Sequence, residues 1–351
     1  MNIKKTGFLL GAFAYAAVLF ADNTRELKLN SPDGVQQVGF YQRQTAPAVN
    51  GLFYRVSFKG QPVIEESRAG LELDNRIWEM ALGQRKLIQP ACWMDNLEVD
   101  SVTYAPTVDN TWKPLYGERS KVRDRYNAAT LHLSKKGGSF YRLDIEVRAY
   151  DEGIAFRYFF PEHPRATFHK VVGDLTEYTL PVGTKAWSEQ WAQAFFEHLD
   201  VNELKRPVER ALTLELPSGL WTALLDADVD DWCLTKYQAS AEKKNTLTSV
   251  MYSPVDVVTY YATPWKVIMT AEKPGELLEH NDIIQNLNPP CEIADAAEWV
   301  RPVLSCVKQP SALKGLLPQS TSVPNIAFRI CFSTGCGICL VLRTTETLPK
   351  W

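Results

Sequence analysis

The feature that most constrains this chain is a series of short segments in which polar and apolar residues alternate. The clearest segment is YRLDIEVRAY at 141–150, which is followed by Asp151-Glu152-Gly153 and then by IAFRYFF at 154–160. A period of two is typical of strands with one buried face, and two such runs joined by a short turn indicate a hairpin. The sequence therefore predicts an antiparallel strand pair over 141–160.

Further strands are predicted between turns rich in Gly, Pro and Asp. They span residues 51–60, 125–133, 211–216, 220–225, 255–261 and 265–270. Helical periodicity is scarce, and its best stretch, 187–204, is predicted to be irregular. With 351 residues, of which 45% are hydrophobic, the chain can bury a sizeable core. Many short strands without a βαβ series predict an all-β protein built as a large sandwich.

The N-terminus has the pattern of a secretory signal peptide. Lys4 and Lys5 precede an uncharged apolar run over 7–20, and Ala21 is a candidate cleavage point. The run is shorter than the roughly 20 residues of a membrane-spanning helix. We therefore expect a signal peptide over 1–21, an exported and periplasmic protein, and no membrane span after cleavage.

The composition changes abruptly after Pro302. Residues 303–351 contain one acidic residue, Glu346, and four of the seven cysteines: Cys306, Cys331, Cys336 and Cys339. A distinct small module, an apolar anchor and a shifted reading frame would each explain such a break. The loss of acids together with the gain of cysteines favours the frameshift, and we expect the tail over 303–351 to be poorly ordered.

No local motif establishes a catalytic or metal site. The spacing of Cys331, Cys336 and Cys339 resembles part of an iron–sulfur loop, but the fourth ligand downstream is absent. The run Asp226-x-Asp228-x-Asp230 lacks the Gly and Glu of a calcium loop, so an acidic turn at a strand end is predicted. Cys92, Cys233 and Cys291 are predicted to be buried. A net charge of −3 without a basic stripe argues against a nucleic-acid partner.

Two long stretches are specific enough to compare with known families, WKPLYGERSKVRDRYN at 112–127 and RAYDEGIAFRY at 148–158. They resemble the N-terminal domain of glycoside hydrolase family 97, a family of bacterial α-glucosidases and α-galactosidases. Shorter matches occur in the same order at 31–34, 54–65, 68–73, 263–265, 286–291 and 299–302. The resemblance covers residues 25–302 and implies a galactose-mutarotase-like super-sandwich.

In that family the sandwich packs on a catalytic (β/α)8 barrel, which typically takes about 250 residues. Only 49 residues follow Pro302. The resemblance therefore implies a truncated family 97 protein that retains a carbohydrate-binding-type sandwich, lacks the barrel and is inactive alone. A stand-alone carbohydrate-binding module and a mutarotase-like enzyme are the alternatives, and an α-linked oligosaccharide is the expected ligand.

The resemblance also implies a metal ligand. In the family, the sandwich lends one glutamate of a tyrosine-glutamate motif to a calcium ion in the active site. The matching run is FFEHL at 195–199, where Glu197 takes the glutamate position and Phe196 replaces the tyrosine. Because calcium takes about 6–8 oxygen ligands, one carboxylate cannot hold it. We expect the isolated chain to bind little or no calcium.

Overall fold

The computed structural model describes residues 26–74, 91–92, 95–115, 117, 119–135, 142–162 and 168–299. The predicted signal peptide, 1–21, and the predicted frameshifted tail, 303–351, lie outside these residues, as do its four cysteines. Described residues form short strands throughout, and helices occur only near their C-terminal end. This confirms the prediction of an all-β sandwich.

The elements follow one another closely along the chain. The first eleven strands are β1 (Leu27–Asn30), β2 (Gln36–Ala46), β3 (Val49–Phe58), β4 (Gln61–Ala69), β5 (Leu71–Leu73), β6 (Ala91–Cys92), β7 (Leu97–Tyr104), β8 (Val108–Trp112), β9 (Val122–Lys135), β10 (Arg142–Tyr150) and β11 (Gly153–Phe160). The next are β12 (Phe168–Asp174), β13 (Glu177–Thr179), β14 (Lys185–Ser188), β15 (Glu197–Asp200), β16 (Leu212–Glu215), β17 (Trp221–Ala227), β18 (Thr235–Ala239), β19 (Thr246–Met251), β20 (Val255–Val258), β21 (Tyr261–Ala262) and β22 (Trp265–Ala271). The helices are α1 (Pro274–Glu279), α2 (Asp282–Leu287) and α3 (Ala296–Trp299), and a 3-10 turn covers Val201–Glu203.

The strands form four sheets. The largest has eleven strands in the order β15-β14-β16-β17-β22-β11-β10-β9-β7, with β21 paired to β11 and β8 paired to β9. A second sheet has the order β1-β2-β3-β4, and two smaller ones have the orders β20-β12-β5-β6 and β13-β19-β18. The pairing is antiparallel, which is why consecutive strands can be joined by the short turns that the sequence shows.

The hairpin predicted over 141–160 is confirmed. Strands β10 and β11 pair antiparallel with Ala149 opposite Ile154, and the connection is formed by Asp151 and Glu152. The Asp151 carboxylate fixes this turn, because it accepts a hydrogen bond from Arg125 at 2.9 Å and one from the backbone amide of Asp33 at 3.0 Å. The turn is thereby tied to two other parts of the chain.

The main core lies between the large sheet and the sheets that cover it. Its centre is aromatic: the ring of Phe156 on β11 lies 5.2 Å from Phe40 on β2 and 5.0 Å from Tyr54 on β3, centroid to centroid. The Tyr54 hydroxyl donates a 2.6 Å hydrogen bond to the carbonyl of Glu177. Tyr54 therefore contributes apolar area without leaving its hydroxyl unpaired.

A second core lies on the other face of the large sheet, under α1 and α2. It joins Trp265, Val267 and Met269 of β22 to Leu277 and Ile283 of the helices. Because β22 has a core on each side, all seven of its residues are buried. Burial along β22 is therefore continuous and does not alternate from one residue to the next.

The close approach of β11 and β22 requires glycine at position 153. A Cβ atom there would lie 2.5 Å from the carbonyl oxygen of Ile268 and 2.9 Å from the Cα of Met269. These are backbone atoms that cannot move aside without separating the strands. Any side chain at this position would disturb the centre of the large sheet.

Several predictions need correction. Residues 255–261 form not one strand but parts of two, because β20 pairs with β12 whereas β21 pairs with β11. The three short helices after β22 were not predicted, since each is too short to show a helical period. Cys233 is only partly buried and Cys291 is exposed, because both lie in surface connections rather than in strands. Helices of the described residues are too short to cross a membrane.

Candidate functional site

Glu197, the predicted metal ligand, is the first residue of β15, the last strand at one edge of the large sheet. It lies opposite Ser188 of β14, and its side chain is exposed. Pairing with β14 therefore fixes the backbone at Glu197, while its side chain is exposed to solvent. This is the geometry of a group that can reach a ligand without being buried itself.

Strand β14 and the connection from it to β15 display large apolar rings close in sequence to Glu197. Trp187 of β14 and Trp191, Phe195 and Phe196 of the connection, which we name the aromatic rim, are exposed by 40%, 56%, 93% and 65%. Single exposed apolar residues are common, but several in one short segment mark a surface that contacts another molecule or domain. The rim and Glu197 together form the candidate site.

One ring of the rim has a fixed orientation. Trp187 stacks on His198, which is opposite it on β15, with ring centroids 4.3 Å apart and planes 14° from parallel. The Nε2 atom of His198 lies 3.2 Å from a carboxylate oxygen of Glu215 on β16. Three neighbouring strands thus hold the ring of Trp187 flat against the sheet edge.

A groove of about 620 Å³ runs from Glu197 along the 3-10 turn. Its lining includes Gln190, Leu199, Asn202, Lys205 and Arg206. The turn is held in place by Asp200, whose carboxylate accepts hydrogen bonds from the backbone and side-chain amides of Asn202 at 2.9 and 2.7 Å. The groove has apolar walls and charges of both signs, with Glu197 and Glu203 against Lys205 and Arg206.

The fit of this site to calcium is partial. A carboxylate oxygen is a suitable calcium ligand, and Glu197 is exposed enough to supply one. Its sequence neighbour Phe196 offers no oxygen on its side chain, and the groove lining sets Lys205 and Arg206 against the carboxylates of Glu197 and Glu203. Among the residues that the structure describes, no three His, Cys, Asp or Glu side chains come together as a metal site.

A model of the glycosyl-hydrolase 97 N-terminal domain matches residues 29–290. The chain belongs to glycosyl-hydrolase family 97. A relative with a known activity is the retaining alpha-galactosidase of Bacteroides thetaiotaomicron, which is 22% identical over 307 residues. That match covers 82% of this chain and 40% of the relative.

Solved structures show the same fold. A family 97 enzyme from a Pseudoalteromonas species, in complexes with panose and with acarbose, gives a TM-score of 0.67 at 22% identity. Each match covers 79% of this chain and 40% of the enzyme. A beta-arabinopyranosidase gives a TM-score of 0.58 at 17% identity, over 70% of this chain and 40% of the other. The chain thus spans about two fifths of the length of these relatives, and its described residues contain no (β/α)8 barrel.

The stretches that carry the family resemblance meet around one buried tryptophan, Trp265. The guanidinium of Arg148 lies 4.8 Å from the Trp265 ring centroid and 4.6 Å from that of Tyr126. Arg157 lies over Trp265 at 4.3 Å. Three motifs distant in sequence therefore share one cation–π cluster.

The acidic turn predicted at 226–230 is confirmed. Asp226 is near the end of β17 and forms an ion pair with Arg210, while Asp228, just after the strand, accepts a 3.1 Å hydrogen bond from Arg157. Two of its three carboxylates are thus neutralised by arginines. They serve the folded structure as ion-pair partners.

Sequence reasoning missed two polar groupings. His132 on β9 lies between Asp144 on β10 and Thr103 on β7, with 3.0 Å from each ring nitrogen to its neighbour's oxygen. Lys266 on β22 forms a buried ion pair with Asp174 on β12. The pairing of β9 with β10 places His132 opposite Asp144. Extending the strand register from the predicted hairpin to β9 could therefore have revealed the contact between these two side chains. Nothing local indicates the second, because its two strands belong to different sheets.

Proposed function

We propose that this sandwich is the accessory N-terminal domain of a family 97 α-glycosidase, and that the chain by itself does not hydrolyse glycosides. The supporting observation is that the family's N-terminal model accounts for residues 29–290, whereas 60% of each relative has no counterpart in the match. The alternatives of a binding module standing alone or a mutarotase-like enzyme have no such support. We also propose that the protein is exported to the periplasm, as the pattern over 1–21 indicates.

Within this function, Glu197 would supply one oxygen ligand to a calcium ion shared with a catalytic domain. Calcium would there polarise an oxygen of the substrate and orient it. The chain's own contribution is to hold Glu197 on β15. The pairing of β15 with β14 places Glu197 opposite Ser188 and so fixes its backbone position along the sheet edge. The aromatic rim would exclude water from the contact and keep the carboxylate pointed toward its partner. The ligand of the complete enzyme would be an α-linked oligosaccharide.

The absence of hydrolysis is tested with the purified 351-residue chain. We expect p-nitrophenol to be released from p-nitrophenyl α-glucoside or α-galactoside no faster than by spontaneous hydrolysis in buffer alone, with or without calcium. Turnover that persists through repurification and is abolished by a substitution in the sandwich would refute this part of the proposal.

The role of Glu197 needs a separate test, because inactivity says nothing about the metal. Calorimetric titration of the chain with calcium chloride should give no saturable heat at concentrations below about 1 mM, since one carboxylate leaves most of the coordination shell to water. Tight binding that Glu197→Gln removes would show a complete calcium site within this chain. Tight binding that Glu197→Gln leaves unchanged would place a site elsewhere.

A further inference from the structure

Three polar side chains lie in line across three strands of the large sheet. The Oγ1 atom of Thr103 on β7 lies 3.0 Å from Nε2 of His132 on β9, and Nδ1 of the same ring lies 3.0 Å from Oδ1 of Asp144 on β10. A hydroxyl, an imidazole and a carboxylate in this order form the arrangement that activates a nucleophile. Both ends of the imidazole are within hydrogen-bond reach of their partners, which is the geometric requirement.

The strand register brings the three groups together. His132 is directly opposite Asp144 and diagonal to Thr103 on the other neighbouring strand. The residues before and after His132 along β9, Leu131 and Leu133, are buried in the main core. Because side chains alternate along a strand, the imidazole therefore lies on the outward face of the sheet. The positions of all three groups are fixed by strand pairing and not by a loop.

The order of donors determines which ring nitrogen is basic. An ionised carboxylate can only accept a hydrogen bond, so Nδ1 of His132 carries the hydrogen that Asp144 receives. Nε2 then keeps its lone pair and accepts a hydrogen bond from the hydroxyl of Thr103. Asp144 thus holds the ring in the tautomer that a general base requires, and His132 is aimed at the proton that it would remove.

Burial decreases from the carboxylate to the hydroxyl. The side chains of Asp144 and His132 are exposed by 15% and 34%, whereas Thr103 is exposed, as is its neighbour Tyr104. The carboxylate is therefore partly shielded from water beside the ring that it orients. A reagent in solution meets the hydroxyl before it meets the two groups that activate the hydroxyl.

An acyl ester is the class of reagent that this arrangement fits. The Thr103 oxygen attacks the acyl carbon while its proton passes to Nε2 of His132. The bond between the acyl carbon and the leaving oxygen then breaks, and that oxygen departs with the bonding electrons and takes up the proton from the imidazole. The products are an ester of Thr103 and a free alcohol or phenol. Because an exposed threonine gains little binding energy from its reagent, the leaving group must itself be reactive, as a phenolate is.

We propose that Thr103, His132 and Asp144 form a nucleophilic site at which activated acyl esters transfer their acyl group to the Thr103 hydroxyl. Thr103 and His132 are the catalytic residues of this site, and Asp144 is a positioning residue that acts through the imidazole. The site is independent of Glu197 and of the proposed glycosidase role, because the bond that a glycosidase cleaves contains no acyl carbon.

The test is acetylation of the 351-residue chain by p-nitrophenyl acetate at about pH 8, where an ordinary imidazole is neutral. Peptide mapping by mass spectrometry locates the acetyl groups, and we expect one on Thr103 at early times. His132→Gln should lower the rate at Thr103 roughly 100-fold, because a general base contributes about 10²–10⁴-fold. Asp144→Asn should lower it roughly tenfold or more, and Asp144→Glu should restore part of the rate because it returns a carboxylate to the ring.

Ser134 is a matched control within the same molecule. It lies two residues from His132 on the same face of β9, and its hydroxyl donates a 2.9 Å hydrogen bond to Asp100. This hydroxyl is paired directly with a carboxylate, with no imidazole between them, so it should be acetylated at least about tenfold more slowly than Thr103. His280→Gln, which removes an imidazole near the helices, should leave the rate at Thr103 unchanged.

Three results would overturn the proposal. The first is a Thr103 without an acetyl group in a sample whose lysines are acetylated. The second is an equal rate at Thr103 and Ser134 in the wild type, a comparison that needs no variant. The third is an unchanged rate at Thr103 in His132→Gln, which would make Thr103 an ordinary surface hydroxyl. Thermal melting of each variant, with a midpoint like that of the wild type, ensures that a slower rate is not lost folding.

Discussion

Phe156 and Phe196 are the same residue in opposite surroundings. Phe156 is fully buried on a central strand, with the rings of Phe40 and Tyr54 about it, whereas Phe196 is 65% exposed beside the outermost strand. The hydroxyl of Tyr54, beside Phe156 in the core, is paired to the chain at the carbonyl of Glu177. Aromatic content therefore does not locate a binding surface in a β-sandwich. The position of a ring within the sheet order decides whether it stabilises the fold or faces a partner.

The largest difference between the two regions should appear on truncation. Phe156→Ala should cost about 3–5 kcal/mol of unfolding free energy, because it removes a fully buried ring and leaves a cavity between two sheets. Phe196→Ala should change it by no more than about 0.5 kcal/mol. Urea denaturation followed by tryptophan fluorescence measures both. Equal losses would mean that the rim is packed in solution.

The contrast extends to charges. Lys266→Met should cost about 3–5 kcal/mol, because it leaves the buried carboxylate of Asp174 without its cation. A matched change at the surface, Lys59→Met, removes the cation of an exposed pair with Glu272 and should cost about 1 kcal/mol at most.

A double variant isolates the cause of that loss. Asp174→Asn in the Lys266→Met background removes the unpaired charge and keeps an acceptor for the backbone amide of Thr176, so most of the stability should return. If the double variant is no more stable than Lys266→Met, the loss comes from packing and not from charge. The midpoints of urea unfolding measure each step.

An intermediate effect is expected where the rim joins the sheet. Trp187→Ala removes the stack on His198 and should cost about 0.5–1.5 kcal/mol, more than Phe196→Ala and much less than Phe156→Ala. Denaturation of the three variants side by side measures the order. A cost for Trp187→Ala as large as that of Phe156→Ala would remove the distinction between edge and core.

The smallest effect concerns the turn between β10 and β11. Burial raises the pKa of Glu152 above its usual range, and the nearby carboxylate of Asp151 acts in the same direction. Because the folded state holds this proton more tightly than the unfolded chain, the stabilisation is present at low pH and is lost as pH rises through the folded pKa. Glu152→Gln should therefore raise stability at pH 7 and have little effect below the ordinary pKa of glutamate, about 4.3.

The control is Glu242→Gln, the same change at an exposed loop carboxylate, which should alter the unfolding free energy by no more than about 0.5 kcal/mol. Unfolding midpoints at pH 7 and pH 3.5 measure both variants. A Glu152→Gln variant that is less stable than the wild type at pH 7 would show that the carboxylate stabilises the turn as an anion.

Local pattern predicted most of the strands, because most have one buried and one outward face. Residues 142–160 are the best case, since alternation and turn chemistry agree there. The order of strands was not predictable, because β22 pairs with β17 and β11, which end far earlier in the sequence. All residues of β22 are buried, so no alternating pattern indicates which neighbours it has. The resemblance located Glu197, but the stack of Trp187 on His198 beside it depends on the pairing of β14 with β15. The environment of a residue is set by such long-range pairing.

The place of β22 in the middle of the large sheet has a consequence for biosynthesis. The segments over 142–160 and 212–227 leave the ribosome before 265–271, and the gap between them can be filled only when that last strand arrives. Until then the nascent chain carries two bare strand edges that could pair with a neighbouring polypeptide. A ribosome stalled shortly before codon 265 would thus release an aggregation-prone product, whereas one that has passed codon 271 would release a chain able to close its own sheet.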